Sequence, residues 1–139
     1  MVDFEKWVET VHKRIIREPI WQFNGYKKAR YFHDLIWEDT DRWRKADWRS
    51  RGPGGQVIRS VGSISANLEE GYGRGYGKEL LYFYRVALAS ARETKGWIYR
   101  SKRFYSPEAL ESRLKLCDEV ISLLVDELNR QKNRLHSPR

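Results

Sequence analysis

The stretch from Ser60 to Trp97, SVGSISANLEEGYGRGYGKELLYFYRVALASARETKGW, sets two helical patterns on either side of a run with glycine at every second position: Gly71, Gly73, Gly75 and Gly77. Val57, Val61, Ile64 and Leu68 come before the glycines at spacings of 4, 3 and 4. Leu80, Tyr84, Ala87, Ala91, Thr94 and Ile98 come after them at spacings of 4, 3, 4, 3 and 4. Residues so spaced share one side of an α-helix. Two apolar-faced helices joined by a short glycine connection pack as antiparallel neighbours. The glycines also end the first helix, because a left-handed cap costs little there.

The same period runs through the rest of the chain. Phe4, Trp7, Val8, Val11 and Ile15 make a short amphipathic segment over residues 3–17, ended by Glu18-Pro19. Asn24 is placed to cap the next helix, which carries Ala29, Phe32, Ile36 and Trp43 and runs to about Ala46. Arg49 to Gly55, RSRGPGG, reads as a loop. Ser106-Pro107-Glu108 is a helix start: cap, proline in the first turn, early acid. The helix it opens carries Leu110, Leu114, Cys117, Ile121, Leu124 and Leu128, with a basic tail expected to fray after Asn129. Alternating apolar runs of the β kind are absent. The expectation is an all-α protein: an antiparallel up-down four-helix bundle over residues 24–133, a short extra N-terminal helix in an extension over residues 1–20, and a basic tail over residues 134–139.

At 139 residues one domain with its own core is expected. The single cysteine, Cys117, excludes an internal disulfide framework and fits a reducing compartment. It lies on an apolar stripe, as an inert small hydrophobe does. No apolar run approaches the ~20 residues needed to span a bilayer, and the N-terminus lacks a signal-peptide centre. A soluble cytoplasmic protein without membrane partners is the simplest expectation.

The net charge of +8 is unevenly spread. Residues 1–41 carry 7 basic and 8 acidic side chains, whereas residues 42–59 carry 6 and 1. Arg42, Arg44, Lys45, Arg49, Arg51 and Arg59 are interleaved with Trp43 and Trp48. This pattern suits a polyanion, whose counterions the cations displace. It is equally the pattern of solvated helix-end charge, and both readings stand at this point. Tyr72, Arg74, Tyr76 and Lys78 alternate aromatic and cationic groups along the glycine run, a second place for stacking and phosphate contact.

Enzymatic constellations are weak. For a Walker loop, Tyr72 stands where the first glycine belongs and Glu79 where the magnesium-holding hydroxyl belongs. Glu69 and Glu70 are adjacent and diverge by about 100° on a helix, so they form no carboxylate pair. Ser63, Asn67 and Glu70 share a face and read as a hydrogen-bonded packing cluster, or more weakly as a ligand site. His12, His33 and His136 are scattered, with no metal-ligand spacing. No catalytic residue, metal or cofactor is expected. Leu80, Leu81, Tyr82 and Phe83 exceed what one buried stripe uses and are assigned to an oligomer interface; the alternative is that residues 3–17 fold back over them.

Ser63-Ile64-Ser65-Ala66-Asn67-Leu68-Glu69-Glu70-Gly71 resembles the signature of the 23S rRNA intervening-sequence protein family, also called the four-helix bundle protein family. That signature typically reads Ser-Ile-Pro-Ala-Asn-Ile-Ala-Glu-Gly, followed by Gly-Arg and then Lys-Glu. Gly73-Arg74 and Lys78-Glu79 follow here in the same order, and Phe83 to Glu93, FYRVALASARE, is similar to the next family block. Ser65 replaces the usual proline and Glu69 the usual alanine. The resemblance implies a ring-shaped homopentamer of antiparallel bundles, similar to the accessory variability determinant proteins of diversity-generating retroelements, which are basic pentamers that bind nucleic acid and the element's reverse transcriptase. It brings no catalytic residues. RNA or DNA would then lie on Arg42, Arg44, Lys45, Arg49, Arg51, Arg74 and Lys78, with Trp48 and Tyr72 stacking. A purely protein-binding scaffold is the rival, and an enzyme using Asn67 and Glu70 at a subunit interface is a weaker third.

Overall fold

A computed structural model describes residues 1–75 and 77–136. Among the described residues six α-helices follow one another: α1 (Phe4–Thr10), α2 (Lys13–Ile16), α3 (Asn24–Ala46), α4 (Arg51–Gly73), α5 (Lys78–Arg100) and α6 (Pro107–His136). Short 3-10 turns occupy Pro19–Gln22, Trp48–Ser50 and Lys102–Phe104, and no strand occurs among the described residues.

Contacts between the long helices pair rising with falling numbers. Gly54 of α4 lies against Thr40 of α3, and Gly62 against His33. Farther along, Tyr26 donates to Glu69 at 2.7 Å. Between α4 and α5, Ser60 meets Thr94, Ser63 meets Ser90, and Gly71 meets Tyr84. Asp39 and Lys28 of α3 bond Arg113 and Glu119 of α6. The core runs along the axis these contacts enclose. Phe32, Ile36, Val57, Val61, Ile64, Leu68, Ala87, Ala91, Ile98, Cys117, Val120 and Leu124 are all fully buried. The α4–α5 interface is the most extensive. Its facing residues are small: a Cβ on Gly71 would sit 2.9 Å from the Tyr84 ring, too close for any residue but glycine without displacing that ring.

Five expectations need correction. The RSRGPGG segment is not a loop: α4 begins at Arg51 and runs through it. Pro53 is tolerated because the first turn of a helix needs no intrahelical N–H. The chain instead turns at Trp48–Ser50, where the Asp47 carboxylate accepts the Arg49 N–H at 2.9 Å. Asn24 is the first helical residue rather than a cap; Phe23 holds that place without a side-chain bond and stacks on Tyr84. The basic end of α6 stays helical to His136, and residues 137–139 lie outside the described residues.

Leu80 and Leu81 do not form an outward surface. They are 3% and 4% exposed and belong to the core, whereas Tyr82 is 60% exposed and Phe83 half-buried. Because α5 packs against both α4 and α6, it buries a stripe wider than one contact needs. Finally, the N-terminal segment is broken at Val11-His12 into α1 and α2, and it folds back onto α3 rather than over Leu80 to Phe83. The Trp7 indole N–H donates to Asp34 at 2.9 Å, and Tyr31 meets Phe4 and Trp7 edge-on.

Candidate nucleic-acid interface

The antiparallel pairings divide the expected contact residues between two ends about 34 Å apart, the length of a 23-residue helix. Arg42, Arg44 and Lys45 sit on the last turns of α3, and Arg49 and Arg51 on the turn into α4. Tyr72 and Arg74 end α4 at the opposite extremity, and Lys78 begins α5 there. The two groups do not form one surface.

At the turn end, Trp43 packs against Phe104 and Tyr105 with ring centroids 5.3 and 4.9 Å away. That contact brings the Lys102–Phe104 turn alongside the α3 terminus, so Arg100, Lys102 and Arg103 join the same end. All three are exposed. Trp48 projects here at 76% exposure, while Trp43 is buried.

Most cations assigned from sequence have carboxylates of their own. Arg44 and Lys45 share Asp41 at 2.7 and 3.1 Å. Arg49 bonds Asp47 at 2.7 Å, and that contact holds the Asp47 carboxyl below the usual range. Arg59 bonds Glu93. Arg51 has no carboxylate partner among the described residues. These pairs are exposed, and exposed pairs are weak and screened by salt. A phosphate can therefore exchange for the carboxylate at Arg44 or Arg49.

Arg42 reaches Asp39 at 2.9 Å, and Asp39 is fully buried. Arg113 grips the same carboxylate at 2.7 and 2.9 Å, and the Tyr105 hydroxyl donates to it at 2.7 Å. Burial alone would push the Asp39 carboxyl up. The Arg113 and Tyr105 hydrogen bonds, with Arg42, outweigh it and hold the carboxyl below the usual carboxylate range. Burial and the adjacent carboxylate push the Tyr105 phenol well up, so it stays a donor. This cluster ties α3 to α6 and to the turn before α6, and so positions the basic end. Its members are 66 and 74 residues apart, with no sequence signal linking them.

At the glycine end, Arg74 bonds Glu70 at 2.8 Å and lies over the Phe83 ring at 5.4 Å. Tyr72 and Lys78 are exposed; Tyr76 lies outside the described residues. Glu70 is thus drawn away from Ser63 and Asn67. Those two do come together: the Asn67 amide donates to the Ser63 carbonyl at 2.8 Å and hydroxyl at 2.9 Å. Ser63 and Ser90 hydroxyls meet at 2.9 Å, and Thr94 donates to Ser60 at 2.9 Å. The cluster is a polar seam between α4 and α5 with its bonds directed inward.

His12, His33 and His136 lie on separate elements, and no group of three potential metal ligands occurs among the described residues. Burial pushes the Cys117 thiol up to about 12, and the thiol donates to the Ala91 carbonyl. No helix among the described residues is long and apolar enough to cross a membrane.

The family model of the 23S rRNA-intervening sequence protein matches residues 22–126. The chain belongs to this family. The match takes in α3, α4, α5 and most of α6, whereas α1 and α2 lie before it. A solved structure is similar in fold: a protein with unknown function from the S23 ribosomal protein family of Bacteroides thetaiotaomicron VPI-5482, at 22% identity and a TM-score of 0.70. The alignment covers 75% of this chain and 97% of that one. No functionally curated protein matches.

Proposed function

We propose that this family member is a non-enzymatic homo-oligomeric scaffold that holds RNA or DNA on the turn end of each subunit. In this reading α3 to α6 form an antiparallel up-down four-helix bundle, and five subunits close a ring that repeats the basic end. It serves as accessory to a retroelement reverse transcriptase or to structured ribosomal RNA. The observation that carries it is the gathering of Arg42, Arg44, Lys45, Arg49 and Arg51 with Arg100, Lys102 and Arg103 at one end, beside an exposed Trp48. Of the four residues assigned to self-association, Tyr82 is exposed and Phe83 half-buried under Arg74, at the other end. This separation leaves the basic end free in the assembly.

Fluorescence anisotropy with labelled RNA, across a salt series, tests the reading. Binding weakens with salt in proportion to the phosphates contacted. Replacing Arg44, Lys45 and Arg49 by Glu abolishes binding while the subunit stays folded. No association at low salt sinks the reading. Mass in solution tests the oligomer separately.

One observation favours a protein-binding scaffold without nucleic acid: Arg42, Arg44, Lys45 and Arg49 each bond a carboxylate of their own chain. That rival predicts a protein partner whose binding survives the triple charge reversal.

A further inference from the structure

Trp37 lies off the apolar stripe of α3 and is 62% exposed, the most exposed large apolar side chain on that helix. It walls a groove of about 300 Å³ between α3 and the first turns of α4. The groove exists because Gly54 and Gly55 bring no side chains to its α4 side; Ile58 makes its apolar end. Arg44 and Arg51 line it, and Arg51 has no carboxylate partner among the described residues. Asp41 also lines it, with its charge balanced by Arg44 and Lys45.

The two sides of Trp37 differ. Beyond it lies a second groove lined by Asp34 and Glu38, with Trp7 and the N-terminus. No arginine or lysine lines it, and its N-terminal ammonium is already paired with Glu38 at 3.5 Å, so nothing there is left to hold a phosphate. On the α4 side a flat ring, an apolar pocket and two guanidiniums stand together. That combination matches one unpaired nucleotide, with its base on the indole face and its phosphate on the arginines. A duplex keeps its base faces stacked and cannot offer one.

We infer that the groove between Trp37 and Arg51 receives an unpaired nucleobase, so the nucleic acid held at the turn end is single-stranded there. This rests on the nucleic-acid reading above and narrows it.

The test uses the full chain, a labelled single-stranded RNA of roughly 12 nucleotides, within the span of one small module, and a duplex of the same length. Wild-type protein binds the single strand more tightly than the duplex. Trp37→Ala weakens single-strand binding roughly 5- to 100-fold and leaves duplex binding unchanged. Trp37→Phe, which keeps a stacking face, recovers most of the affinity. Arg51→Ala lowers the salt slope by about one contact. Circular dichroism confirms that the exposed-site variants stay folded. If RNA binds but Trp37→Ala and wild type bind alike, the inference fails while the broader reading stands. If no RNA binds, both fail. If Trp37→Ala lowers the mass in solution, a second copy of the chain covers the groove and the inference is overturned.

Discussion

The two ends of the molecule are closed by opposite means. At the turn end, side chains do the work: Trp43 against Phe104 and Tyr105, and Asp39 held by Arg113, Arg42 and Tyr105. At the glycine end, the absence of side chains does it: Gly71 admits the Tyr84 ring, and Gly75 and Gly77 take φ of 98° and 82°. The first end depends on residues far apart in sequence and on a charge balance. The second depends on backbone freedom over a few consecutive residues. The turn end is therefore the one sensitive to pH and to single charge deletions, and the glycine end the one sensitive to added methyl groups.

The largest expected effect lies at the turn end. Arg113→Ala leaves the Asp39 carboxylate buried without its main partner and costs roughly 3–5 kcal/mol of stability, read from urea unfolding. A loss below ~1 kcal/mol would mean that the cluster does not hold this end together. Asp39 also sets an acid limb. Its folded carboxyl sits below the unfolded value of about 3.9. Its stabilisation is thus fully present above that pH and is lost as pH falls through the folded value. Asp39→Asn unfolds with a shallower dependence on pH below ~4 than wild type, whatever its stability at neutral pH.

The glycine end gives the next effect. Gly77 has φ 82° and ψ −150°, a region closed to residues with a Cβ, although nothing crowds the site. Gly77→Ala costs roughly 1–3 kcal/mol by strain alone. Gly73 is helical with equally open surroundings, so Gly73→Ala stabilises by about 0.4–1 kcal/mol. Equal effects at the two positions would refute the backbone account of this joint. The smallest effect is expected at the exposed Arg49–Asp47 pair. Arg49→Ala leaves the unfolding midpoint within replicate error and still lowers the salt slope of RNA binding. A large stability loss there would show that this arginine is structural.

The sequence was most readable where a pattern is local. Val57, Val61, Ile64 and Leu68, and then Leu80, Tyr84, Ala87, Ala91, Thr94 and Ile98, are buried as their spacing required. The Ser106 cap before α6 is also present, accepting the Ala109 N–H at 3.1 Å. RSRGPGG misled because its composition signals a turn, while its position in a first helical turn removes the usual penalty on proline. Leu80 and Leu81 misled because a helix between two neighbours buries more than one stripe. Trp37 carries a sequence signal of its own: it directly follows Ile36 and so points off the buried stripe, where a tryptophan needs some other reason to be.

Sequence by itself determined where the long helices lie, which stripes they bury and which stretches carry surplus positive charge, because helical period and charge are properties of neighbouring residues. Only the tertiary structure decided that the cationic residues divide between two distant ends, that Asp39, Tyr105 and Arg113 meet, and that Trp37 faces a groove floored by glycine. Those facts depend on which turn of one helix lies beside which turn of another. That register is set by the packing of side chains many residues apart, and no short window of sequence contains it.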